Sequence, residues 1–281
     1  MMNLSVTDSL DVLSQSWEIS TALDSVVERR TSSDIYRDVQ LSQYNDDAIV
    51  HDTFGIKKSG RYSFLVWKKE AGQPEVVLSV TGIVMSAFFG PIVRPTNMKK
   101  ILQNISIVGF ENIAFHEALL ATHQVYRLFE QSHPPGAMKP FQFSNIQAEP
   151  SFVAQARFLT PAQNNPFSEA EHDIRISQDP RGHLQQLVNS GNFFYTDDNE
   201  VEFQEVTEDE SGTSIVADLE DPCMIRPGHL VELFVNFRTI TTGGLRPIQL
   251  FLVKLDRVVI INKIGSRVCL LLFRSIFLIT S

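Results

Sequence analysis

A chain of 281 residues with 43% hydrophobic and 20% charged residues has ordinary globular usage. It is long enough to bury a core without disulfide or metal staples, which excludes an intrinsically disordered chain. The net charge is −9, yet eleven acidic residues and no Lys or Arg fall between Asp197 and Asp221, so the acidic excess is one local feature and the remainder is slightly basic.

The opening MMNLSVTDSLDVLSQSWEIS lacks a basic region and an apolar run, so an intracellular chain, cytoplasmic or nuclear, is expected. Two cysteines, Cys223 and Cys269, form neither a disulfide framework nor a zinc motif. Residues 1–50 read as a flexible N-terminal arm. A short helix is predicted in DSLDVLSQSWEISTALDSVVERR, where Leu10, Leu13, Trp17 and Val27 share a face. From His51 the texture changes. RYSFLVWKK, EVVLSVTGIVMSAFF and KKILQNISIVGF are β-branched and aromatic runs separated by AGQPE and GPIVRPTN, which predicts strands of a mixed or antiparallel sheet. In FENIAFHEALLATHQVYRLFEQSH, Phe115, Leu119, Thr122, Tyr126 and Phe129 recur at helical spacing, and HPPG ends the helix. Residues 51–140 therefore form a sheet-plus-helix region. Residues 141–171, rich in Pro, Asn, Gln and Ala, are predicted to be a linker or wrapping loop.

Residues 172–263 read as an antiparallel β domain. PGHLVELFVNFRTITTGGLRPIQLFLVKLDRVVIIN reads as two long strands joined across a Gly-Gly turn. Val231, Leu233, Val235 and Phe237 alternate with Glu232, Asn236 and Arg238, the pattern of a strand buried on one face. The fold class is thus α+β and β-rich, with antiparallel sheets and one clear amphipathic helix. DIRISQDPRGHLQQL, NFFYTDDNEVEF, IRPGHLVELFVNFRTI and FLVKLDRVVIIN together resemble the C-terminal part of uncharacterised proteins found in many copies in mushroom-forming fungi, a resemblance that covers the C-terminal third of this chain and implies no activity. The order of short strand, acidic loop, long strand and return strand also resembles small barrels such as the OB-fold.

The tail, residues 264–281, is apolar. A spanning helix needs about 20 apolar residues, whereas the run from Val268 to Ile279 is interrupted by Arg274, so no membrane partner is expected. Val268–Cys269 can be written GTATGT, and the Leu-, Phe- and Ile-rich residues after it are what thymine-rich DNA encodes. The expected origin of this tail is an unspliced intron in the gene model.

No strong catalytic motif is present. GIKKSGRYS has the glycine spacing of a phosphate loop, but Arg61 replaces its Lys and Tyr62 its Ser or Thr, which favours a turn before a strand. HEALLATH puts Leu120 where a zinc helix needs its second histidine, leaving His116 and His123 seven apart. DDNEVE departs from a calcium loop at Val201 and Glu202. No catalytic residue, metal ligand or cofactor is assigned.

The most suggestive stretch is KKSGRYSFLVWKK. Cations follow a nucleic-acid backbone and exposed aromatic rings stack on bases. Lys57, Lys58, Arg61, Tyr62, Trp67, Lys68 and Lys69 are the candidate site, with Phe64 between them and Arg94, Lys99 and Lys100 as an extension. The leading expectation is a non-catalytic intracellular binding or interaction module with an unidentified protein partner. The alternatives are a single-stranded nucleic-acid binder using this basic-aromatic strand, and an enzyme whose site assembles from dispersed residues.

Overall fold

A computed structural model describes residues 17–34, 36–93, 101–146, 148–162, 173–208, 214–243, 247–263 and 265. Helix α1 (Trp17–Thr31) leads through two 3-10 turns (Arg37–Val39 and Leu41–Tyr44) to α2 (Asp47–Thr53). The hairpin β1 (Phe54–Ser59) and β2 (Tyr62–Trp67) follows, then β3 (Leu78–Phe88) and β4 (Leu102–Val108). Helix α3 (Ile113–Gln131) precedes β5 (Ser144–Ile146), β6 (Glu149–Arg157) and β7 (Thr160–Pro161). Then come α4 (His183–Asn189), β8 (Phe193–Phe194), β9 (Glu202–Glu208), β10 (Ser214–Asp218), β11 (Leu230–Thr241) and β12 (Gln249–Asn262). The fold is α+β and strand-rich.

Five of the strands close on themselves. β3 pairs with β4 and β4 with β6, both antiparallel; β6 meets β12 in parallel; β12 pairs with β11 and β11 with β3, again antiparallel. In chain order the ring therefore runs first, second, third, fifth, fourth and back to first, an OB-like barrel. The hairpin β1–β2 extends the sheet beyond the C-terminal half of β11, and β9–β10 adds to β12.

Alternation along each strand fills the ring. Val231, Leu233, Val235 and Phe237 point inward with Ile105, Ile107, Phe152, Ala154, Leu255 and Val258, all fully buried. Helix α3 packs its predicted face onto this core: Phe115, Leu119, Thr122, Tyr126 and Phe129 are all buried. Asn112 caps it by accepting from the Phe115 amide, a contribution of about 1 kcal/mol. Entry to the helix is tight, because a Cβ at Gly109 would lie 2.1 Å from the Phe115 ring.

The structure corrects several expectations. The barrel is not confined to the C-terminal part, since β3, β4 and β6 precede it. The reason is strand length: β11 has 12 residues and β12 has 14, enough for each to serve more than one neighbour. The predicted linker, 141–171, supplies β5 and β6, and its small Ala154 and Ala156 are inward-facing barrel residues. The N-terminal arm contains α1, whose Ile19, Leu23 and Val26 are buried against Ile83, Met85, Val108, Phe110 and Leu230. β11 is covered on both faces, because Glu232, Asn236 and Arg238 are buried as well. Glu232 is ion-paired with Arg30 at 2.9 Å and accepts from Gln40 at 3.2 Å. Polar side chains here face protein, which a pattern of alternation cannot reveal. Leu10, Leu13 and the tail beyond Gly265 lie outside the described residues. Among the described residues no helix is long and apolar enough to cross a membrane.

Candidate nucleic-acid interface

The side chains that alternate with the barrel core build the site. On β11, Asn236, Arg238 and Ile240 point away from the interior and lie opposite Lys254, Leu252 and Leu250 of β12. Lys254 in turn is level with Gln155 of β6, and Arg157 two residues on is opposite Leu102 of β4. On the other side, Arg238 and Ile240 are opposite Phe64 and Tyr62 of β2. Five strands thus present one outer face, and a cleft of ≈ 150 Å³ runs over it, lined by Tyr62, Ile240, Leu250, Leu252, Lys254, Gln155, Arg157, Leu102, Arg238 and Asp198.

Charge in the cleft is closely matched. Arg238 makes a two-pronged contact with Glu75, Nε to Oε1 at 2.6 Å and Nη2 to Oε2 at 2.9 Å, while its Nη1 donates to Asp198 Oδ1. Bidentate guanidinium–carboxylate contacts of this kind fix orientation as well as charge. Burial alone would lower the Arg238 pKa, but the Glu75 hydrogen bonds and the Asp198 and Glu75 charges hold it above its ordinary value. Burial alone would raise Asp198, but Arg238 and Lys254 outweigh that and keep the carboxyl below the usual range. Lys254 Nζ lies 3.5 Å from Asp198 and 3.9 Å from Asp256. Arg157 makes no ion pair among the described residues, so it is the cation of the cleft still free to meet an anion. The Arg238 guanidinium sits 5.0 Å over the Phe64 ring, and Phe64 lies 6.0 Å from Tyr62 at 30°. These contacts hold the Tyr62 ring at the cleft's rim.

The basic-aromatic strand is divided between two faces. Tyr62 reaches the cleft. Trp67 turns the other way, 5.2 Å from Phe54 and 6.4 Å from Tyr44, against the core. The cations spread along the hairpin. Lys57 Nζ is 3.5 Å from the Gly72 carbonyl, and Lys58 Nζ donates to Ser132 at 2.9 Å. Arg61 donates to the Thr241 carbonyl at 2.8 Å, Lys68 donates to His51 at 3.1 Å, and Lys69 pairs with Asp52 at 2.9 Å. Arg94, Lys99 and Lys100 lie outside the described residues. Sequence reasoning missed Gln155, Arg157 and Lys254, and Arg238 was legible only as an outward-facing residue. Their shared trait, alternation with barrel positions on three different strands, acquires meaning only once the ring is closed.

The other candidates have structural roles. Gly55–Ser63 forms β1, a turn with Gly60 at φ 58°, and the start of β2. His116 Nε2 is bonded to the Phe110 carbonyl at 2.8 Å. His123 packs on Phe141 and Phe143, and burial lowers its pKa. Burial, with Asp221 nearby, pushes the Cys223 thiol up to about 11, far from the thiolate a nucleophile requires. Among the described residues no group of three or more His, Cys, Asp or Glu is placed to hold a metal ion.

No family model matches this chain, and no curated protein matches it either. Among solved structures it is similar to a single-stranded DNA-binding protein from bacteriophage Enc34, with 10% identity over 74% of this chain and 88% of that chain, at a TM-score of 0.34.

Proposed function

We propose that this chain is a binding protein that takes single-stranded nucleic acid across the outer face of its OB-like barrel. The observation that carries the reading is the meeting of Tyr62, Arg157 and Lys254 in one cleft that crosses the ring's strands. A single strand offers unstacked base faces and regularly spaced phosphates. An aromatic ring at a cleft rim is a stacking platform worth about 1–3 kcal/mol per base, and a guanidinium without an internal partner suits a phosphate. OB-folds bind oligonucleotides and oligosaccharides on the face of their second and third strands, here β4 and β6, which contribute Leu102, Gln155 and Arg157 to the cleft. The candidate hairpin lysines Lys57, Lys58, Lys68 and Lys69 and Arg61, none of which lines the cleft, then supply a longer-range field along the hairpin.

Fluorescence anisotropy of a labelled oligothymidylate, titrated at several salt concentrations, tests the reading. Binding weakens with salt. Tyr62→Ala costs about 1–3 kcal/mol of affinity. Arg157→Ala weakens binding and makes the salt slope shallower by roughly 0.7. Trp67→Ala lowers stability without a matching loss of affinity, because its ring faces the core. Absence of any binding at low salt by the folded chain sinks the proposal.

A further inference from the structure

Asp198 enters the cleft from a turn that is held firmly from behind. Its neighbour Asn199 is fully buried and is bonded to the Thr196 amide at 3.1 Å, the Thr160 hydroxyl at 3.0 Å and the Arg157 carbonyl at 3.3 Å. Gln103 closes the arrangement by donating to the Asn199 carbonyl at 2.8 Å. On Asp198 itself, the contacts with Arg238 and Lys254 both fall on Oδ1. The second oxygen, Oδ2, has no hydrogen bond among the described residues, and the side chain is 34% exposed. One oxygen is therefore held by two cations, the other carries no hydrogen bond among the described residues, and the carboxylate lines the cleft.

Resting on the nucleic-acid reading above, we infer that Asp198 sets base preference: Asp198 Oδ2 accepts a hydrogen bond from the exocyclic amino group of a base seated in the cleft. An ionised carboxylate can only accept. It is met favourably by the N4 amino group of cytosine, whereas the O4 of thymine, an acceptor, faces it with like polarity. Carboxylates read cytosine in this way in other grooves, each good contact being worth a sizeable discrimination. The two cations fixed on Oδ1 keep the group ionised at neutral pH and leave it no freedom to turn away. Tyr62, by contrast, stacks on either pyrimidine alike, because every base has a π-face.

Paired titrations with oligodeoxycytidylate and oligothymidylate of equal length, at one salt concentration and pH 8, provide the test. The folded full chain is expected to bind the cytidine strand roughly 5- to 150-fold more tightly than the thymidine strand. In Asp198→Asn the amide both donates and accepts, so the ratio collapses toward one, whatever the change in absolute affinity from removing a charge. Asp198→Ser serves as a second variant should the amide disturb the turn, and it too loses the preference. Equal affinity for both strands in the wild type, or an undiminished ratio in both variants, overturns the role of Asp198 while leaving the binding proposal standing. No binding of either strand removes the binding proposal and this inference together.

Discussion

His229 shows what burial does to a single side chain. It is almost fully enclosed, its Nδ1 lies 3.4 Å from the Arg226 amide, and its charged neighbours are Arg226, Lys263 and Glu205. Burial first, then the Lys263 and Arg226 charges, lower its pKa from 6.5 to about 4, with Glu205 opposing them. Between those values the unfolded chain holds more protons than the folded one. Stability therefore falls as pH drops from about 6.5 toward about 4. Urea midpoints measured between pH 7 and pH 4.5 should show this fall, and His229→Gln should flatten that part of the profile. Of these causes the local sequence RPGHLVE shows only Arg226; the burial, and the neighbours Lys263 and Glu205, come from segments distant along the chain. Glu232 is a similar case. Its place on the polar side of an alternating strand was legible, but its burial against Arg30 and Gln40 depends on α1 and the following turns crossing β11.

At the scale of elements, β11 carries the most weight. Phe237 is fully buried and stacks on Phe251 at 5.8 Å and 15°, with Phe129 of α3 a further 5.6 Å from Phe251. Phe237→Ala should cost about 3–5 kcal/mol in chemical denaturation, since so rigid a cluster cannot collapse into the space. Phe234, half-buried on the outer face beneath Arg257 at 4.4 Å, should cost distinctly less. Equal costs would mean that the outer face of β11 is packed as a second core. The helical period of α3 and the strand period of β11 were both readable, because each element must show one consistent apolar face to the interior. The two-sided covering of β11 was not, because the partners that cover it, Glu75, Phe64, Arg30 and Gln40, come from other parts of the chain.

For the whole molecule the closed ring is the decisive feature. β12 reaches back to β6, inside the segment that reads as a linker, and β11 reaches across that segment to β2 and β3. A fragment of residues 172–263 would keep the β11–β12 pair but lose three of these partners, leaving long, apolar, unpaired strand edges. Expressed alone it should show no cooperative thermal transition by circular dichroism, whereas the full chain melts in one step. A fragment that melts cooperatively would show that the ring is not the folding unit. The cleft has the same origin. Tyr62, Arg157, Arg238 and Lys254 span nearly two hundred residues of sequence and become neighbours only where β2, β6, β11 and β12 lie side by side.

The amino-acid sequence by itself determined the class of fold, the existence of α3 and the paired long strands, the inward set on β11, and the association of aromatic and basic residues around Tyr62. Those properties follow from local periodicity, which a chain must display wherever one face of an element is buried. Tertiary structure alone decided which strands close the barrel and that Trp67 serves the core while Tyr62 serves the cleft. It also decided that Asp198 stands between Arg238 and Lys254 with one oxygen to spare. These outcomes depend on strand pairing and register between distant segments. A shift of one residue along a strand exchanges its two faces, so the chemistry of the site is a property of the assembled sheet and not of any stretch within it.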